Sequence, residues 1–122
     1  MWYTDGVDLL KVSVPARESS GAPYTLVELA GEADATSLQQ LREALEAEVA
    51  ARPRTLIVDL SGLNFMDSSA LRVLLHANRT LDREGGVLGL VGPRGPVARV
   101  LRFTRADQLV PLYDSVQQAA AG

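Results

Sequence analysis

The segment Asp67-Ser68-Ser69 places a carboxylate beside two hydroxyls. Such side chains at a strand–loop–helix junction could carry chemistry. At a helix start, any of the three side chains can instead bind the orphan N–H groups of the first turn. Capping is the commonest use of these residue types, but it needs only one of them and leaves at least one hydroxyl spare. Arg72 and His76 follow on the same segment. At about 100° per residue they fall with Arg79 and Arg83 on one side of a helix, and Ser69 lies at its margin. That basic stripe reads either as a solvated face or as a partner surface.

A serine hydrolase would need a base on the nucleophile. His76 lies about 10 Å from Ser69 along a helix axis, too far for a hydrogen bond, and no Gly-x-Ser-x-Gly elbow is present. Asp59, at the end of a strand, could be cast as the phosphoacceptor of a receiver domain. Such domains also need an acidic pair after the first strand and a late lysine, and the sole lysine here is Lys11. Gly92-Pro93-Arg94-Gly95 lacks the Gly-Lys-Ser/Thr ending of a phosphate loop and reads as a turn. With no cysteine and a single histidine, thiol chemistry and Cys- or His-rich metal sites are excluded.

The elements that must carry these residues follow from periodicity. A β-prone run spans Leu9 to Val14, a Pro/Ser/Gly loop Pro15 to Pro23, and a strand Tyr24 to Ala30, ended by Gly31. The two strands are expected to form an antiparallel pair. Leu38, Leu41, Leu45 and Val49 predict a helix from about Ser37 to Ala51, with Glu43, Glu46 and Glu48 off its apolar stripe. Thr36 with Gln39, or Ser37 with Gln40, would form its capping box, and Pro53 stops it. Leu56 to Leu60 reads as a strand covered on both faces, leading through a Ser61–Met66 loop to a helix from Ser68 to just before Gly85. Val87 to Val91 is a further buried strand. A short helix begins at Pro96 and ends near Thr104, an edge strand spans Val110 to Tyr113, and a last helix Ser115 to Ala121. Strands alternating with helices after a hairpin predict an α/β fold with a mixed sheet.

The chain of 122 residues is of single-domain length, with 47% hydrophobic and 22% charged residues, an ordinary globular balance. A net charge of −3 offers no general attraction to nucleic acid or anionic membrane. No stretch approaches the ~18 apolar residues of a membrane span, and the start of the chain is unlike a secretory signal. A cytoplasmic protein, monomeric or weakly dimeric, is expected.

Three segments resemble one family in its order. Leu60 to Leu71, with Asp67-Ser68-Ser69 at its heart, resembles the signature of the sulfate transporter and anti-sigma factor antagonist (STAS) domain. Leu29-Ala30-Gly31-Glu32-Ala33-Asp34 resembles its Gly-Glu-Leu-Asp element, and Val110 to Ser115 its C-terminal strand-to-helix passage. The resemblance implies one STAS domain over residues 1–122, with a mixed four- to five-stranded sheet and about four helices mainly on one face. It further implies a non-enzymatic anti-sigma factor antagonist whose unphosphorylated form captures an anti-sigma factor serine kinase. The phosphorylated residue would be Ser69, with Ser68 as the lesser candidate, and a metal-dependent serine phosphatase would reset the switch. No cofactor is implied for the chain itself, since ATP belongs to the kinase. Asp34, Asp67, Ser68, Ser69, Arg72 and His76 are then candidate partner contacts, although Asp34 is equally placed to cap the first helix. A phosphate at a helix N-terminus is favoured there, so its effect should fall on the interface rather than the fold. The other role open to such a domain is a non-catalytic scaffold subunit of a stress-sensing or transporter complex. Two positions depart from the family pattern. Thr104-Arg105 stands where Thr-Gly is common, which would strain a left-handed helix end. Ala33 replaces a larger aliphatic residue.

Overall fold

Alternating apolar and polar side chains build the edge of the sheet. In the computed structural model, which describes residues 10–122, β1 (Leu10–Ala16) turns alternate residues toward the core and pairs antiparallel with β2 (Thr25–Ala33). β3 (Thr55–Met66), β4 (Val87–Val91) and the short β5 (Leu112–Tyr113) follow in parallel, giving the spatial order β1-β2-β3-β4-β5. Between and after them run α1 (Leu38–Ala50), α2 (Ser68–Arg83), α3 (Gly95–Phe103) and α4 (Val116–Ala121). The expected α/β architecture is present, with five strands.

Both faces of the sheet are covered. Leu56, Val58 and Leu60 of β3 join Leu41 and Leu45 of α1, Leu74 of α2 and Leu101 of α3 in the main core. Ile57 points the other way and meets Leu26, Val91 and Ala119 under α4. The apolar run at 55–60 therefore needs both of its faces, as a central strand does. Three helices thus lie on one side and one on the other.

Several boundaries differ from the sequence expectation. β2 does not stop at Gly31. It continues to Ala33, with Gly31 at φ 93° beside a break in the register. The expected Ser61–Met66 loop is instead the second half of β3, paired with Ala30 through Ala33 across two register shifts. The pairing depends on Gly62: a Cβ there would lie 2.9 Å from the carbonyl oxygen of Leu29, so only glycine lets the strands approach. The Pro15–Pro23 loop is shortened, because β1 runs on to Ala16 and a 3-10 turn occupies Glu18–Ser20. The expected edge strand Val110–Tyr113 reduces to Leu112–Tyr113, after Val110 is drawn into the core. Leu9, at the start of the expected first strand, lies outside the described residues.

Glu48 is buried by a contact that helical spacing does not reveal. Off the apolar stripe of α1, its side chain is nonetheless only 9% exposed and accepts from Arg17 Nε and Nη2, both at 3.0 Å. Glu18 beside it accepts the N–H groups of Arg54 and Thr55 at the start of β3. A segment read as an open loop is thus tied to both α1 and the central strand. Arg17→Ala would leave a nearly buried carboxylate unpaired and should lower stability measurably. Glu48→Gln should cost less, because Arg17, with its side chain 48% exposed, can rehydrate. Urea denaturation of the two variants checks that order.

The departure at Thr104-Arg105 has the consequence expected of it: Arg105 is left-handed, at φ 61°. Left-handed backbone costs an L-residue roughly 1–2 kcal/mol, against about 0.5–1 kcal/mol for glycine's greater freedom when unfolded. Arg105→Gly should therefore raise stability by about 0.5–1 kcal/mol in the same measurement.

Candidate functional site

The ends of two parallel strands deliver the site. Ala33 closes β2 opposite Met66 of β3, and the N–H of Asp67 donates to the carbonyl of Ala33 at 3.1 Å. Asp34 and Asp67, the next residues along each strand, consequently stand side by side where α1 and α2 begin. Each acts as a cap. Asp34 accepts the N–H of Thr36 at 2.9 Å and its hydroxyl at 2.6 Å, while Ser37 Oγ accepts the N–H of Asp34 at 3.1 Å. This reciprocal box replaces the Thr36–Gln39 and Ser37–Gln40 boxes expected from sequence. An aspartate fits because a short carboxylate reaches back to the first-turn donors.

Asp67 caps α2 by accepting the N–H of Ala70 at 2.9 Å. The same oxygen, Oδ1, accepts the hydroxyl of Ser69 at 2.6 Å. Desolvation alone would raise the pKa of this carboxyl. The Ser69 hydroxyl and the N–H groups of Ala70, Ser69 and Ala35 together outweigh it and hold the carboxyl below its ordinary value of 3.8. A carboxylate held ionised in this way is a poor general base near neutrality. Its geometry orients the Ser69 hydroxyl without activating it.

Ser68 is exposed and Ser69 partly so, with Ala70 and Leu71 buried immediately after them. Neither hydroxyl is shut inside the protein. Arg72, His76, Arg79 and Arg83 are all exposed, as the helical projection required. The structure divides this stripe, however. Ser69, Arg72 and His76 line a groove of about 520 Å³ between α1 and α2, and Arg79 and Arg83 do not. Asp34 stays outside the groove. His76 makes no contact that could activate Ser69, whose proton is directed to Asp67.

Sequence reasoning missed the contribution of α1. Leu38, Arg42, Leu45 and Val49 supply the second wall, and Val73 and Ala77 of α2 complete an apolar floor. The signal was available: Leu38, Leu45 and Val49 share the stripe that defined the helix, and Arg42 lies one turn from Leu38. What periodicity could not supply was the neighbour. Phe65, near the end of β3, is 42% exposed but does not line the groove. Among the described residues no group of three or more potential metal ligands occurs, and no helix is long and apolar enough to cross a membrane.

The STAS domain family matches residues 13–119. The anti-sigma F factor antagonist of Paenibacillus polymyxa is 29% identical over 91 residues, covering 74% of this chain and 78% of that protein. Among solved structures, an anti-sigma factor antagonist from Mycobacterium paratuberculosis superposes with a TM-score of 0.83 at 27% identity, covering 97% of each chain. SpoIIAA, a Bacillus cell fate determinant, shares the fold. Its unphosphorylated form gives a TM-score of 0.71 at 24% identity, covering 92% of each chain. Its phosphorylated form gives 0.65 at 23%, covering 92% of this chain and 96% of that one.

The depressed pKa of Asp67 predicts a pH dependence. Folding favours its ionised form, so the stabilisation is complete above the ordinary value of 3.8 and fades as pH falls through the lower folded value. Asn at the same position still caps the helix but does not titrate. The parent should exceed Asp67→Asn in stability at pH 7, and the gap should close as the solution is acidified below about pH 4, read from urea midpoints across that range.

Proposed function

Since this chain belongs to the STAS domain family, we propose that it is an anti-sigma factor antagonist, a single non-enzymatic domain that binds an anti-sigma factor and is switched off by phosphorylation at Ser69. The similarity to anti-sigma factor antagonists over most of the chain supports the first half of this reading. The second half rests on one observation: the Ser69 hydroxyl is partly exposed at the start of α2 and oriented by Asp67 at 2.6 Å. The partner is an anti-sigma factor that is itself a serine kinase, and a serine phosphatase reverses the modification. ATP is the kinase's cofactor, and the antagonist needs none. Asp34, Asp67, Ser68, Arg72 and His76 surround the acceptor as the docking surface.

The local chemistry explains why an external enzyme is required. Asp67 does not deprotonate Ser69, so the catalytic base comes from the kinase. After transfer, the hydroxyl proton that bridged Ser69 to Asp67 is gone and about −1.5 to −2 charges stand in its place. Two unit charges ~4 Å apart repel by about 4 kcal/mol at an effective dielectric near 20. The helix N-terminus returns only ~0.3–1 kcal/mol. The phosphate therefore swings away from Asp67 toward Arg72, which lines the groove from one turn further along α2. The core beneath, from Ala70 inward, is untouched by this rotation. Binding suffers because a docked partner would have to bury the dianion without matched donors, at a cost of several kcal/mol. About 3 kcal/mol already weakens binding roughly a hundredfold.

Incubation with anti-sigma factor kinases and ATP, followed by mass spectrometry, should locate phosphate on Ser69 and show loss of capture once it is there. Modification confined to Ser68, or no modification by any such kinase, refutes the assignment. Ser69→Ala should retain capture and resist modification. Ser69→Asp should bind at least about tenfold more weakly, and equal binding by both variants would remove the electrostatic explanation.

A further inference from the structure

The groove between α1 and α2 has more features than a phosphoacceptor requires. Both helices leave the same end of parallel strands, so they descend side by side with their N-termini level. Arg42 of α1 and Arg72 of α2 consequently line the end marked by Ser69, with His76 one turn beyond Arg72. Neither Arg72 nor His76 has an ion-pair partner among the described residues, and the only side-chain hydrogen bond of Arg42 there is a long one, 3.3 Å to Gln39. Below them the floor is apolar, formed by Leu45, Val49, Val73 and Ala77. At the far end the carboxylate of Glu84 is occupied, 2.9 Å from Arg52 Nε. Glu46, one turn beyond Arg42 on the α1 rim, also lines the groove and has no ion-pair partner among the described residues. Cations near Ser69, an apolar middle and carboxylates further along form a graded site, in which an anionic head is favoured only at the Ser69 end. Its volume of about 520 Å³ is typical of a small-molecule pocket.

We propose that this groove binds a small anionic amphiphile, an acyl carboxylate or a ligand of the same chemistry. Its head lies between Arg42 and Arg72, and its chain lies along Leu45, Val49, Val73 and Ala77. The site spans roughly 16 Å along α2 from Ser69 to Thr80, at 1.5 Å per residue, which accommodates a medium-length acyl chain. Binding requires no phosphorylation, so the inference goes beyond the switch and stands without it. A bound head group beside Ser69 would also cover the hydroxyl.

Decanoate is the probe, with decanol and decyltrimethylammonium as neutral and cationic controls, all below their solubility and micelle limits. Titration into the isotopically labelled protein should move the amide signals of Ser69, Arg72, Val73 and Leu45 together. Decanoate should bind at least about tenfold more tightly than decanol, as expected of charge-assisted contacts to the head. Arg42→Gln with Arg72→Gln should abolish that advantage and leave decanol affinity unchanged. Both arginines are exposed and away from the core, and circular dichroism verifies that the double variant is folded. Equal affinity for the three head groups, signals scattered over other surfaces, or no perturbation of the groove would each overturn the proposal. So would a groove that refuses decanoate yet is protected when a protein partner docks, which would assign it to a macromolecule.

Discussion

Two hydrogen bonds to a single oxygen tie the helix to the acceptor. Asp67 Oδ1 accepts the first-turn N–H of Ala70 and the hydroxyl of Ser69. The first contact starts α2, and the second fixes the rotamer of the side chain on which the proposed switch depends. An N-cap aspartate is ordinary, and so is a serine in the first turn. Sharing one carboxylate oxygen between them makes the helix start and the acceptor geometry a single unit. Whatever disturbs Asp67 disturbs both, and whatever modifies Ser69 removes a donor from the cap while leaving the N–H of Ala70 in place.

That unit is held in position by the length of β3. A strand ending at Leu60 would have left Asp67 on a flexible connection. The strand instead continues to Met66 and stays paired with β2 as far as Ala33, so both capping aspartates are anchored to the sheet. Two register shifts and the close approach at Gly62 are what the pairing demands. The sheet also sets the groove, since two helices returning from adjacent parallel strands must lie next to each other. Their outward faces meet over Leu45 and Ala77, and the polar residues at the margin become its rim.

Much of this was readable from residue order. The apolar run 55–60 declared a central strand, the Leu/Val spacing declared α1, and the arginine spacing gave the exposed face of α2 correctly. The misreadings share one cause. Gly31 and Gly62 look like breakers when taken locally, but the sheet uses them as bulge and contact positions. Glu48 looks solvated by its place on the helix, until Arg17 arrives from a segment far away in sequence. Asp34, Thr36 and Ser37 are all competent caps, and only the end of β2 decides which of them leads. The site was legible as far as its α2 half. Its α1 wall depended on which helix lies beside which, a matter of strand order rather than of any motif.

The weak basicity of Asp67 bears on how the proposed switch stays under control. A serine paired with a strong base would be nucleophilic by itself and open to adventitious modification. Here the hydrogen bonds that depress the pKa of Asp67 are the same ones that make it a good cap, so helix stability and chemical inertness come from one arrangement. The hydroxyl is presented but not activated, and in the proposed switch reaction would wait for a partner that brings both base and phosphoryl donor. The same logic runs in reverse. A phosphate on Ser69, as proposed, would be turned outward by repulsion from Asp67, toward the arginine and the solvent from which a phosphatase would approach. Asp67 thus serves both directions of the proposed cycle while remaining, in structural terms, a helix cap.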